Sequence, residues 1–368
     1  MNLYPFYRMK ISLTVAFVLM SMASISQELP KIDALAAAEM SAKNIPAIGI
    51  AVIQDGKLTH LKTYGYSDLE NRVKATVNTP FEVASISKTV VNLAIFNLVE
   101  SGKIKLDNDI NDYLPFKVKN PHLLKEKITV ASLLNHHSGI VDNYAVLDAD
   151  NNGTNGDSDI QLSAYLKSYF SPKGKLYSQE NFQDNKGYKY CNVAYALLGV
   201  IIEKVSGTTL EDFSQNNIFK PLKMANTSWF LNGLNLETVA KTYTSDKNGK
   251  QVFLGFNGFP IYPSGQLRTS IKDYSNLILQ YLNSNDSKFI FSSNLVDKIT
   301  PEPGYSREGW YTWNKVAIGN TLYYAHEGAN TGVKTVVLMD VISKNAVIIF
   351  INSEAKLGPL LMGIMDEL

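Results

Sequence analysis

Three short clusters in this 368-residue sequence hold side chains whose types and spacing can do chemistry. Ser85-Ile86-Ser87-Lys88 opens an apolar stretch, Tyr190-Cys191-Asn192 precedes a second one, and His326-Glu327-Gly328 lies ahead of a β-rich run near the end. Residues three apart on a helix share one face, so the Lys88 amine reaches the Ser85 hydroxyl. A serine hydroxyl is a weak nucleophile until a base takes its proton, and an amine serves as that base once its pKa is pulled down. Burial and the positive end of a helix dipole both pull it down. The same helix start offers the Ser85 N–H to a developing oxyanion. The plainer alternative is a serine that caps the helix beside a solvated lysine. A tyrosine hydroxyl near an amine can relay a proton, an asparagine amide can hold a carbonyl, and Gly328 lets a substrate approach a strand backbone. Chance matches exist: Ser353-Glu354-Ala355-Lys356, Tyr274-Ser275-Asn276 and Tyr281-Leu282-Asn283 fit the same patterns. The first trails a strand without partners and the others sit in an amphipathic stretch, so all three read as structural.

The elements that must position these clusters are legible from periodicity. Ile48 to Ile53 and Leu58 to Tyr64 flank Asp55-Gly56, a pair suited to the positive φ angles of a type I′ turn, and predict a β-hairpin. From Ser87 to Ser101, apolar residues recur at helical spacing and Gly102 ends the run as a C-cap. Tyr195 to Val205, closed by Gly207, and Asp273 to Tyr281 predict two further helices. Val333 to Met339 and Ala346 to Asn352 predict strands. Strands at both ends of the chain with a mostly helical middle require one sheet that joins remote segments. The expected fold class is therefore α+β.

The order S-x-x-K, Y-x-N, H-x-G resembles the serine β-lactamase and penicillin-binding protein superfamily, in its class C β-lactamase and D-alanyl-D-alanine carboxypeptidase branch. Gly102 to Asp107 through Tyr113-Leu114-Pro115, Leu133-Leu134-Asn135-His136-His137-Ser138-Gly139 and Tyr262-Pro263-Ser264-Gly265-Gln266-Leu267 resemble further family stretches. The resemblance spans roughly Ile45 to Asn352. It implies a β-lactamase/transpeptidase-like fold, an antiparallel sheet from both chain ends flanked by helices, with an inserted mainly helical subdomain at about 85–299. It implies Ser85 as acyl-forming nucleophile, Lys88 as its base or the group that orients its proton, and Tyr190 as proton shuttle. Asn192 would bind the acyl-side carbonyl and His326 would line the strand side of the cleft. The N–H groups of Ser85 and Ala329, just past Gly328, would form the oxyanion hole. Class C β-lactamases carry lysine where His326 stands. A mostly neutral histidine attracts a substrate carboxylate less, and Glu327 would repel one if it faced the cleft. That favours ester or peptide substrates over β-lactams.

Composition narrows the alternatives. The chain is 45% hydrophobic and 19% charged, so it can order a core. Its net charge of +1 gives no field for nucleic acid. One cysteine, Cys191, excludes an internal disulfide framework and a thiolate metal cage. No cofactor or metal is expected, and the partner is a small-molecule or peptide substrate, with oligomeric state left open. Arg8 and Lys10, the apolar run Ile11 to Met22 and small residues after it read as an export signal over 1–26. The run is too short for the ~20 residues of a membrane span, so no stable anchor is expected and the protein is placed in the periplasm or secreted. Residues 27–368 then form one domain, with sheet segments at about 27–84 and 300–368. Asp148 to Asp159 has the spacing of a calcium loop but reads first as a solvated Asn/Asp/Gly loop. His136 and His137 are expected to bond in a loop beneath the site, His60 and His122 to lie at the surface, and Arg268 to make a surface ion pair. A catalytically silent ligand-binding or sensor protein on the same scaffold is the competing function.

Overall fold

A computed structural model of the chain describes residues 30–150, 156–283 and 312–368. The leader at 1–26 and residues 151–155 of the Asp148 to Asp159 loop lie outside the described residues. In chain order, helix α1 (Pro30–Lys43) precedes strands β1 (Ala47–Gln54), β2 (Lys57–Asp68), β3 (Val73–Lys74) and β4 (Pro80–Glu82). The middle holds α2 (Ser87–Glu100), α3 (Val130–Leu134), α4 (Tyr144–Asp150), α5 (Leu162–Phe170), α6 (Asn192–Ser206) and α7 (Leu210–Ser214). Short strands β5 (Tyr243–Ser245), β6 (Gln251–Phe253) and β7 (Arg268–Ser270) lead to α8 (Ile271–Leu282). The last described segment gives β8 (Asn314–Ile318), β9 (Thr321–Asn330), β10 (Val333–Asp340), β11 (Asn345–Ile351) and α9 (Gly358–Met365).

The expected joining of remote strands is met. An antiparallel seven-stranded sheet runs β3-β2-β1-β11-β10-β9-β8, with Ile48 opposite Ile351 and Ile53 opposite Ala346. The β1–β2 turn has positive φ at both Asp55 (51°) and Gly56 (71°), as a type I′ turn needs. Gly102 and Gly207 sit in the left-handed region at the ends of α2 and α6, where a Cβ would be strained.

Alternation along β1 feeds two layers. Ile48, Ile50 and Val52 pack with Val347, Ile349 and Ile351 against Ile32 and Ala36 of α1 and Leu360 and Ile364 of α9. Ala47, Ala51 and Ile53 join the larger core with α2, α6 and α8. Each fully buried Ile is worth ~1.5–3 kcal/mol, and a one-residue slip would exchange the layers, so the register is strongly specified.

Two expectations fail here for one physical reason: long-range cover that no local pattern announces. His60 is completely buried, not superficial, because α1 lies over its face of β2. Asp33 of that helix bonds the neighbouring Lys62 at 2.7 Å and Tyr64 at 2.6 Å, and Tyr64 meets the His60 ring. Arg268 is likewise fully buried; it reaches Asp157 at 3.1 Å and the Asn257 carbonyl.

Candidate active site

Ser85 stands on a clamped turn between β4 and α2. Val83 N–H bonds the Leu267 carbonyl at 3.0 Å, and the next residue, Ala84, has φ of 48°. A left-handed alanine costs about 1–2 kcal/mol and persists only where its surroundings hold it. Ser87 Oγ does so by donating to the Ala84 carbonyl (2.6 Å) and accepting from Leu267 N–H (3.0 Å). From the sheet, Thr335 Oγ1 donates to the Val83 carbonyl at 2.9 Å. Gly328 lies against the same turn: a Cβ there would stand 2.4 Å from the Val83 oxygen and 2.2 Å from Thr335 Oγ1. β8 pairs with β9 only through Thr321 to Ala325. Among the described residues, the Ser85 turn therefore packs where β9 has no strand on that side.

Lys88 is completely buried at the start of α2, which removes the solvated-lysine alternative. No side-chain cap bond is made at that helix start, so Ser85 is not a cap. Lys88 Nζ contacts three oxygens: Ser85 Oγ at 3.1 Å, Asn192 Oδ1 at 2.8 Å and the Ser264 carbonyl at 2.6 Å. Two of these can only accept. A neutral amine gives its two N–H bonds to them and keeps its lone pair for the Ser85 hydroxyl. Burial lowers the Lys88 pKa to about 7, against the opposing pull of Asp142 and Cys191.

Tyr190 lines the cleft beside Ser85, and burial raises its phenol well above the ordinary value against the opposing pull of Ser85, so it holds its proton. Its ring lies 4.9 Å from Lys88 Nζ and 4.5 Å from the His136 ring. His136 is buried beneath, at φ 59°, and its Nδ1 accepts from Cys191 N–H at 3.1 Å. Burial and Lys88 hold His136 neutral. His137 instead bonds the Lys186 carbonyl.

Asn192 is committed on both sides of its amide. Oδ1 accepts from Lys88, and Nδ2 donates to Asp142 Oδ2 at 2.9 Å, leaving one Nδ2 hydrogen for a substrate carbonyl. The expectation for His326 is corrected. Its side chain points inward along the β9 pleat, 3% exposed, and does not line the cleft. Its Nδ1 donates to the Glu327 carbonyl at 2.9 Å, its ring faces Trp313, and burial with Lys88 nearby lowers its pKa to about 4. A neutral buried ring is no anion-binding group. Glu327, the next residue along, is the one that faces the cavity.

That cavity, of about 580 Å³, is lined by Ser85, Tyr190, Asn192, Gly328 and Ala329 and continues along the outer sheet face to Lys334, Lys356 and Leu361. Lys356 belongs to the second S-x-x-K, whose Ser353 is buried and does not line it. Sequence reasoning missed Asp142, the Ser264 carbonyl and the His136 stack. The legible signals were an acid beside apolar Ile140-Val141 and the Pro263-Ser264-Gly265 turn, which presents its carbonyl to Lys88.

The sequence matches a family model described as Beta-lactamase over residues 32–361. It is 28% identical over 291 residues to Protein flp of Staphylococcus aureus (strain MRSA252), covering 77% of this chain and 56% of that protein. The chain thus spans little more than half the length of that relative. Among solved structures, the fold is similar to the octameric penicillin-binding protein homologue from Pyrococcus abyssi, with a TM-score of 0.74, 23% identity and coverage of 93% of this chain and 78% of that one. The D-amino acid amidase from Ochrobactrum anthropi SV3 gives a TM-score of 0.73 at 18% identity, covering 92% and 98%. The sheet order, the clamped Ser85 turn and a family match across most of the chain lead to one assignment: the protein belongs to the beta-lactamase family and has the β-lactamase/transpeptidase-like fold.

Proposed function

We propose that this protein is a serine hydrolase that cleaves ester or amide bonds of small molecules or peptides through an acyl-enzyme at Ser85. The observation that supports it most is the Lys88 amine, buried, near-neutral in pKa and left with its lone pair on the Ser85 hydroxyl. Ser85 Oγ attacks the substrate carbonyl carbon while its proton moves to Lys88 Nζ. The carbonyl oxygen becomes an oxyanion held by the Ser85 and Ala329 N–H groups, each such donor being worth ~10²–10³ in rate. Tyr190 gives its phenol proton to the leaving group and takes one back from Lys88. Water then attacks the acyl-enzyme, its proton passes to the same pair, and Ser85 departs with a proton returned to Oγ. The remaining Nδ2 hydrogen of Asn192 binds the acyl-side carbonyl.

Glu327 faces the cavity, yet Lys334 and Lys356 line it too, so the expected repulsion of a substrate carboxylate is offset there. We rank ester and peptide substrates first because neither His326 nor Glu327 supplies a cation at the strand edge. The test is labelling with a fluorophosphonate and with a fluorescent penicillin. Labelling by the fluorophosphonate alone is the expected result; labelling by both would move the protein to the β-lactam branch, and labelling by neither would refute the acyl-enzyme.

The pH dependence follows from Lys88. Its pKa is lowered to about 7, and the base is competent only when neutral, so activity is present above that value and lost below it. The expected kcat/KM falls about tenfold per pH unit on the acid side; a flat profile between about pH 5 and about pH 8 would contradict the assignment. We also propose export by cleavage near Ser26, which N-terminal sequencing of protein from the periplasmic or culture fraction checks.

A further inference from the structure

Beneath the three reacting side chains lies a carboxylate that none of the steps above uses. Asp142 is 7% exposed and takes four donors, two on each oxygen. Oδ1 accepts from Val193 N–H (2.9 Å) and the Cys191 thiol (3.3 Å); Oδ2 accepts from Asn192 N–H (2.8 Å) and Asn192 Nδ2 (2.9 Å). Its own segment is held on both sides: Val141 N–H bonds the Asn181 carbonyl, and Tyr169 Oη bridges the Val141 carbonyl and Asn143 N–H.

We infer that Asp142 is a positioning residue of this site: it fixes which end of the Asn192 amide faces Lys88, and so aims the Lys88 lone pair at Ser85. The inference rests on the acyl-enzyme reading. A flipped Asn192 would set Oδ1 against a carboxylate oxygen, acceptor on acceptor, and turn Nδ2 toward Lys88. There the amide would donate into the lone pair that Ser85 needs. With Asp142 in place, Oδ1 takes one Lys88 N–H and the Ser264 carbonyl takes the other, and the lone pair has one remaining direction. Asp142 also supplies the negative charge that favours the ammonium form of Lys88 against burial. The other groups near that amine are Cys191, held as a thiol by burial and Asp142, the neutral rings of His136 and His326, and the faces of Tyr190 and Tyr195.

Asp142→Asn separates positioning from support. Asparagine keeps one acceptor oxygen for the Val193 N–H at the start of α6, while the Asn192 N–H loses its own, which the melting temperature reads. What changes is the charge and the arm facing Asn192, which becomes a donor. The experiment is the rate of Ser85 labelling by a fluorophosphonate across about pH 5 to about pH 9, on the full chain, with melting temperature alongside. Asp142→Asn is expected to lower the alkaline plateau about 10²-fold, the scale of a small misplacement of a reacting group. It is also expected to move the acid limb to lower pH by about one unit, because an opposite charge has been removed. A merely supporting role would change the melting temperature and move the limb through the lost charge while leaving the plateau in place; that result overturns the inference.

Asn192→Ser keeps Asp142 as the cap and removes only the amide. It is expected to lose the same plateau, and the double variant to lose no more than either alone. Plateau losses that multiply, or a wild-type plateau in Asn192→Ser, overturn the inference even if Asp142→Asn does not fold. Wild-type protein that is not labelled at Ser85 overturns the acyl-enzyme reading itself, and the inference with it.

Discussion

Ser85→Ala is expected to abolish covalent labelling and to lower turnover of an ester or anilide substrate by on the order of 10⁴–10⁶-fold, the scale seen when an activated nucleophile is removed from a unit that works together. The fold should be unaffected. The Ser85 side chain makes no cap bond, and the turn that carries it is held by Ser87, Thr335 and Leu267, which the substitution leaves alone. Removing Oγ takes one partner from Lys88, so the melting temperature should shift by no more than a degree or two. Turnover within tenfold of wild type would show that another residue carries the acyl group. A collapse in melting temperature would show that the loss had a structural origin.

Arg268→Leu is expected to give the largest loss of stability. The guanidinium is wholly buried between Asp157 and the Asn257 carbonyl, and its charge also opposes the burial that raises the pKa of Glu82. Glu82 is 3% exposed and holds Asn330 at 2.6 Å and Asn257 at 3.0 Å. Breaking a buried pair by deleting one partner costs ~3–5 kcal/mol, because the other charge is left without compensation. Asp157 keeps 22% of its side chain exposed and is partly screened, so the lower end, ~3 kcal/mol, applies, or on the order of 10 °C in melting temperature. Activity should fall as well, since Glu82 lies three residues before Ser85 and Asn330 directly follows Ala329. A melting temperature within two degrees of wild type would mean that the cluster contributes nothing net.

What the sequence disclosed and what it hid divide along the range of the interactions. The ends of α2 and α6 were legible because left-handed glycines and apolar spacing are local signals, and the Asp55-Gly56 turn was legible for the same reason. The Ser85–Lys88 pair was readable because three residues on one helix are neighbours whatever surrounds them. Asn192 beside Lys88 followed only from a family resemblance, as nothing local ties residues about a hundred positions apart. The direction of His326 was not legible: strand pleating alternates, and which parity faces inward depends on the register of β9 against β10. Asp142 escaped because its role is defined by four donors brought to it from α6, and His60 and Arg268 because their cover comes from remote segments.

The pairing of β1 with β11 sets the order in which this molecule can mature. Ser85, Lys88, Asn192 and Asp142 are all made before residue 200, but the strand edge that faces them is not complete until residue 330, and β9 and β10 are fastened to the remainder through β11. Contacts of such long separation form late and slowly. A chain still emerging from the ribosome therefore holds Ser85, the proposed nucleophile and first oxyanion donor, without the Ala329 N–H proposed as the second. Assembly of the whole site is thereby deferred until the last strands have been made.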